Sequence, residues 1–275
     1  MPVIAMTQEM GSLAKDVALE LAASMKLAVM RHEVVDHVAG KMHVSTSLIK
    51  RLREGKAGLV ERVTTDSERV ALYSAEEVFE LANKGNVVLR GWGATCLLRA
   101  VPHVVCVRIT RPFHKRVEWL MNHLDTDDRS FAEQEIRRSD QAHASRMHHQ
   151  FHVTWGDPVL YDLVLNTDRL SVASCVEQIR QLTGRPEFQE TEASRGLLAD
   201  LSLAARVRSA LKANDSTEQV KITIEAQNGR LALSGIVVNG HEQSEVERVA
   251  ASVSGISGID NKLRLMKASR SHSKS

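Results

Sequence analysis

The chain has 275 residues, a length for about two domains, and its 43% hydrophobic and 25% charged residues are typical of a globular protein. Its 36 Lys and Arg residues nearly balance its 34 Asp and Glu residues, which argues against a dedicated nucleic-acid-binding protein, since these carry a strong basic excess. Three widely spaced cysteines without a CxxC pair support neither a disulfide framework nor a zinc ribbon, and no apolar run reaches the ~18 residues of a membrane helix.

The N-terminus carries a short apolar run with no basic region before it, so the sequence predicts no secretory signal. We therefore expect a cytoplasmic protein with reduced cysteines. Cys106 lies in an apolar run and is expected to be a small buried side chain.

Short apolar runs alternate with helical patterns over residues 1–183. The candidate strands are Pro2–Met6, Asn86–Leu89, Val104–Ile109 and Tyr161–Leu165. The candidate helices are Ser12–Met25, Ala75–Asn83, Pro112–His123, Ser130–Gln150 and a last helix that begins after Ser171 and ends before Gly184. Strands that alternate with helices indicate a parallel sheet with crossover helices, so these residues predict an α/β domain.

A different pattern begins after residues 184–200, which mix Gly, Pro, Ser and charged residues without a clear period and are interpreted as a linker. Residues 201–267 then predict a helix, two strands, a second helix and a final strand. The two strands are joined by Asn228-Gly229, a strong hairpin signal because Gly tolerates positive φ. The basic, Ser-rich tail at 268–275 is predicted to be disordered.

Four stretches of the first domain match a known pattern. Three of them are MPVIAMTQEMGS, VVLRGWGATCLL and VVCVRITRPFHKRVEWL. The fourth and most specific is EQEIRRSDQAHASRMHHQFHVTWGDPVLYDLVLNTDRLSVASCVEQI, whose portion YDLVLNTDRLS at 161–171 is a close match. Through them, residues 1–183 resemble the cytidylate-kinase-like family of P-loop nucleoside monophosphate kinases. Through VKITIEAQNGRLALSGIV, with Gly235 at a characteristic strand glycine, residues 201–267 resemble a BON domain. These resemblances imply a three-layer α/β/α P-loop kinase-like domain followed by a small α+β domain of αββαβ order.

The resemblance implies a phosphate site with ATP and Mg²⁺ as cofactors. Gly11 and Ser12 stand at the start of the first helix, where the helix dipole favours an anion. Leu13 stands where the kinases have glycine, and Ala14 stands where they have lysine. Lys15 follows one residue later, about 100° around the helix, so its phosphate contact competes with a solvated position on the helix surface.

Three further positions depart from the family pattern. Arg31 replaces an aspartate, Trp92 replaces the arginine of a Gly-Arg-Gly motif, and His143 replaces an arginine three residues after the matching Asp140. The remaining candidates for cofactor binding are Gly11, Ser12, Lys15, Gly91 and Gly93. The catalytic residues are left unknown, with Lys15, Arg90 and Arg138 as candidate phosphate-binding cations.

Histidines cluster near the end of the long candidate helix, and His148 and His152 have a spacing that can bind a transition metal. No HExxH motif, cysteine or carboxylate cluster completes a ligand set, so no metal site is predicted. The basic run at 50–53 and the glutamates at 76, 77 and 80 indicate solvated helix faces.

Two functions from different classes follow. The favoured one is a non-catalytic protein whose kinase-like domain senses a nucleotide or holds a partner, while the BON-like module binds a lipid surface, a small ligand or a protein. The alternative is an active cytidylate kinase that transfers phosphate from ATP to CMP. Nucleic-acid binding rests only on local basic runs and ranks last.

Overall fold

A computed structural model of the protein describes residues 1–30 and 32–266. By its internal contacts the chain divides into two compact units between Arg195 and Gly196. Arg31 and the tail at 268–275, for which the sequence makes predictions, lie outside the described residues. Among the described helices, none combines the length and apolar character needed to cross a membrane.

The first unit is built on a five-stranded parallel sheet with strand order β2-β3-β1-β4-β5. Its strands are β1 Val3–Gln8, β2 Ala28–Met30, β3 Val87–Arg90, β4 Val104–Thr110 and β5 Leu163–Asn166. Because all of them are parallel, the carboxyl ends of β1, β3 and β4 lie at one edge, where open α/β sheets bind their ligands.

Helices cover both faces of this sheet. They are α1 Ala14–Met25, α2 Glu33–Met42, α3 Thr46–Glu54, α4 Leu59–Thr64, α5 Ser67–Lys84, α6 Ala94–Leu97, α7 Phe113–Leu124, α8 Arg129–Phe151 and α9 Val172–Thr183. On one face, buried side chains of α1 and α9, such as Leu21 and Ile179, pack against Ile4 and Val107 of the strands. The other face includes Cys106, which is fully buried as expected. The predicted α/β/α domain is confirmed.

The second unit has a three-stranded sheet of order β6-β7-β8, antiparallel between β6 and β7 and parallel between β7 and β8. Its elements are α10 Glu192–Ala213, β6 Ile222–Gln227, β7 Arg230–Val237, α11 Gly240–Ala251 and β8 Gly258–Leu265. Both helices pack on the sheet through buried side chains such as Val207, Leu233 and Val246. The αββαβ order is confirmed, as is the Asn228-Gly229 hairpin, where both residues have positive φ.

The segment 184–200, which the sequence predicts to be a linker, is not irregular. It holds a 3-10 turn at Pro186–Phe188, and α10 already begins at Glu192. The reason is a local cap: Ser194 N donates to Thr191 Oγ1 at 3.1 Å, and Thr191 N donates to Ser194 Oγ at 3.0 Å. Such reciprocal bonds satisfy the free N–H groups at a helix start. The division between the two units falls within this segment.

Gly235 has a φ of +145° and pairs with Ile222 of β6. A Cβ at this position would lie 3.0 Å from Ile222 Cγ2 and 3.3 Å from Ile222 Cα. The sequence predicts a bulge or close packing of a helix here, but the close neighbour is the adjacent strand.

Candidate functional site

The loop between β1 and α1 is held by hydrogen bonds between its own residues. Ser12 donates from its N–H to the carbonyl oxygen of Glu9 at 3.2 Å and from its hydroxyl to the same oxygen at 2.8 Å. Thr167 Oγ1 in turn donates to the carbonyl oxygen of Ser12 at 2.9 Å. Ser12 is only 1% exposed, and its two donors are both used within the loop.

Two residues of this loop have left-handed backbone conformations, Gly11 with φ +79° and Leu13 with φ +60°. A Cβ on Gly11 would lie 3.1 Å from the backbone of Arg116, so the glycine permits α7 to approach the loop. Leu13, which stands where the kinases have glycine, keeps a conformation that costs a non-glycine residue roughly 1–2 kcal/mol.

The Glu9 carboxylate is held by groups at the end of β4. It accepts from Arg108 Nη2 at 2.6 Å, from Thr110 Oγ1 at 2.7 Å and from the Arg111 N–H at 3.2 Å. Arg116 Nε lies 3.5 Å from the same carboxylate. Arg108 and Arg116 are both buried, so two cations beside the loop already have a carboxylate partner from the protein.

The three candidate phosphate-binding cations differ in burial and in their partners. Lys15 is exposed on α1, whereas Ala14, at the position of the family lysine, is buried. Arg90 is buried at the end of β3 and donates to Gln8 Oε1 from Nε at 3.2 Å and from Nη2 at 2.8 Å. Arg138 is exposed on α8 and pairs with Glu135.

His143, which stands where the family has arginine, is a half-buried residue of α8. Its ring stacks on Trp155 with centroids 5.0 Å apart, and Trp155 Nε1 donates to Thr7 Oγ1 at 3.0 Å. Burial, together with the charge of Arg146, lowers the pKa of His143 to about 3. A neutral imidazole therefore stands at this position and cannot supply the arginine's charge at neutral pH.

The turn at 91–93 has positive φ at all three positions, including Trp92 at +59°. A Cβ on Gly91 would lie 2.7 Å from Arg53 Nη2, and one on Gly93 would lie 2.5 Å from the Phe151 ring. Both glycines are thus covered by side chains of the protein. Arg53, predicted to be on a solvated helix face, instead lies half-buried over the Trp92 ring at 4.7 Å.

The glutamate run on α5 also differs from its prediction. Glu76 is buried, and its carboxylate accepts from Lys41 Nζ at 2.6 and 2.7 Å. His37 lies between Glu76 at 3.3 Å and Glu77 at 3.0 Å. Hydrogen bonds from Glu76 and then Glu77 raise the pKa of His37 to about 9. The cluster joins α2 to α5. In the sequence it is indicated by the spacing of His37 and Lys41, which lie four residues apart and so on one face of α2.

His148 lies in α8 and His152 follows at its end with φ +55°. In residues 1–30 and 32–266, no group of three or more His, Cys, Asp or Glu side chains is arranged to hold a metal ion.

A parallel sheet of this order, with a loop leading from its central strand into α1, defines the first unit as a kinase-like domain of the P-loop fold. The chain belongs to the cytidylate kinase-like family, which matches residues 3–169, and a BON domain follows at residues 199–267. Both resemblances seen in the sequence are confirmed, in the same order.

Solved structures are similar to about two thirds of the chain. An uncharacterized protein from Eubacterium ventriosum is 18% identical at a TM-score of 0.53, and the match covers 67% of this chain and 100% of that one. A shikimate kinase from Bacteroides thetaiotaomicron is 15% identical at a TM-score of 0.43, over 66% of this chain and 97% of that one. No curated protein matches the chain.

Proposed function

We propose that this protein is a non-catalytic member of its family, a nucleotide-sensing or partner-binding protein with a BON association module. The observation that carries the proposal is the closed loop, in which both Ser12 donors are used by the carbonyl oxygen of Glu9. A loop that cradles phosphates needs N–H groups directed at the ligand, and this one directs two of its donors inward.

The charges around the loop support the same proposal. Phosphoryl transfer depends on cations placed against the transferred group. Here Ala14 stands at the lysine position, and Lys15 is exposed on the helix surface. Arg108 and Arg116 are neutralised by carboxylates of the protein itself.

The residues present do not fit ATP with Mg²⁺ at this loop. In P-loop enzymes the Ser or Thr that directly follows the lysine holds the Mg²⁺, and here the residue after Ala14 is Lys15. The one carboxylate of the loop, Glu9, is bound by Arg108 and Thr110. We infer that a sensed ligand binds elsewhere in the first unit.

Exposed apolar side chains support an association role for the BON domain. Ile236, Val238 and Met266 are exposed at the ends of β7 and β8, where the Met266 N–H donates to the carbonyl oxygen of Val237 at 2.8 Å. A lipid surface, a small ligand and a protein are the partners proposed for this module in a cytoplasmic setting.

The test is an assay of the purified chain with ATP, Mg²⁺ and CMP, in which we expect no CDP above background. The alternative is an active cytidylate kinase. Steady CDP formation would overturn the proposal and establish that alternative if it is lost in Lys15→Ala or Arg90→Ala. The control variant Lys84→Ala, at an exposed position, should keep the activity in that case.

A further inference from the structure

A cavity of about 660 Å³ lies between α3, α5 and the end of α8. This volume is within the ~300–1,000 Å³ range of small-molecule sites. Much of its wall is apolar, formed by Ile49, Leu52, Val70, Leu72, Leu97 and Phe151. Such a wall favours a ligand with an apolar body, because burying apolar surface is the main gain on binding.

The same wall carries positive charge. Three arginines line the cavity, Arg53, Arg62 and Arg146, whereas Glu68 supplies its single carboxylate. The Arg146 guanidinium donates to the carbonyl oxygen of Arg53, and no carboxylate in the described part of the chain pairs with it. Burial lowers the pKa of Arg146, because the charged form loses hydration there. An acidic group from a ligand would supply the missing countercharge.

The glycine turn does not offer a second anion site in this cavity. Its two glycines are covered by Arg53 and Phe151, so their backbone is not open to close approach by a phosphate. The charge for an acid therefore comes from arginine side chains, of which Arg53 and Arg146 are half-buried and Arg62 is exposed.

We propose that this cavity binds an amphipathic acid, with one carboxylate or phosphate group at Arg146 and an apolar body along Leu52, Leu72 and Phe151. The inference rests on the non-catalytic function proposed above and goes beyond it, because it assigns an amphipathic acid instead of a nucleotide as the ligand of the first unit.

The test uses the full chain and the fluorescent acid 1-anilinonaphthalene-8-sulfonate, displaced by four competitors. Decanoate and decyl phosphate, which separate a carboxylate from a phosphate head, should displace the dye. Decanol, which has no charge, should be at least tenfold weaker, and CMP should not displace it. Displacement by CMP at or below the decanoate concentration overturns the proposal in favour of a nucleotide.

Two variants locate the site. Arg146→Gln should weaken decanoate at least tenfold, whereas Arg129→Gln, at the exposed start of the same helix, should leave it unchanged. Ala71→Phe, at another residue of the wall, fills the cavity while keeping Arg146 and should abolish displaceable binding, which keeps the test decisive if Arg146→Gln fails to fold. Unchanged binding in Ala71→Phe overturns the proposal. CDP formation, assayed separately, would overturn only the non-catalytic function.

Discussion

The guanidinium group of Arg116 and the carboxylate of Asp140 form two hydrogen bonds, 3.0 and 2.9 Å long. The pairing joins α7 to α8, and the same arginine lies against Gly11 of the loop. Two-point pairs of this kind fix orientation as well as distance. Asp140, the matching acidic position of the family pattern, thus holds α8 in place through the protein's own arginine.

Asp140→Asn should destabilise the first unit by about 1–3 kcal/mol, because Arg116 is buried and loses a charged partner. Urea unfolding followed by tryptophan fluorescence measures this, since all three tryptophans lie before residue 156. The control is Glu133→Gln, which removes an exposed pair with Arg129 on the same helix and should change stability by less than about 0.5 kcal/mol. Equal effects of the two variants would contradict the role of the pair.

Leu13→Gly should leave stability unchanged or raise it by up to about 1 kcal/mol, because glycine adopts a φ of +60° without the Cβ penalty. Leu19→Gly is the matched control, an exposed leucine within the helical part of α1, and should cost about 1 kcal/mol. Thermal melting of both variants measures their stability. A larger loss of stability in Leu13→Gly than in Leu19→Gly would contradict backbone strain at Leu13.

Gly235→Val should destabilise the second unit and spare the first, because its Cβ would press on Ile222 at 3.0 Å. Gly240→Ala, where a Cβ meets nothing within 4 Å, is the control. The second unit contains no Phe, Tyr or Trp, so its unfolding is followed by far-UV circular dichroism. A Gly235→Val module that melts like Gly240→Ala would show the glycine to be incidental.

Asp200→Ala should destabilise the second unit by about 1–2 kcal/mol. The Asp200 carboxylate accepts from the N–H groups of Asn228 at 2.9 Å and Gly229 at 3.2 Å, and so fixes the hairpin turn. Asp215→Ala, at an exposed position, should have little effect. The residue falls in the predicted linker, so a clear loss of stability would place it in the folded module instead.

The cluster of His37, Lys41, Glu76 and Glu77 predicts that the stability of the first unit falls at alkaline pH. The folded pKa of about 9 lies above the unfolded value of 6.5, so the stabilisation is fully present below pH 6.5 and is lost as pH rises through 9. Urea unfolding across this range should show the loss, and His37→Gln should remove it. His114→Gln, an exposed control, should keep it. An unchanged slope in His37→Gln would exclude the cluster as its source.

Periodic patterns in the sequence predicted the long helices and strands of the fold, but they did not predict short elements. β2 spans three half-exposed or exposed residues, Ala28–Met30, too few for an alternation to appear. The predicted helix at 75–83 is the second half of α5, which begins at Ser67 after the Asp66 cap. Its first half lines a cavity, so the apolar spacing there does not follow a single buried face.

The candidate site was less predictable, because its contacts join distant parts of the chain. Glu9 and Arg108 are 99 residues apart, and nothing local in either segment indicates the pair. The resemblance located the positions where charge was replaced, such as Ala14 and His143. It could not show that Arg90 is engaged by Gln8, since that depends on the strand order.

The three cysteines all lie in the first unit, and Cys106 and Cys175 are fully buried. Burial raises the pKa of Cys106 to about 12, and the thiolate is the form that reacts. A thiol reagent therefore modifies Cys106 only when the sheet around it opens. Because residues 196–275 contain no cysteine, the labelling rates of Cys106 and Cys175 in the intact chain report the opening of the kinase-like unit alone, whatever the folding state of the BON domain.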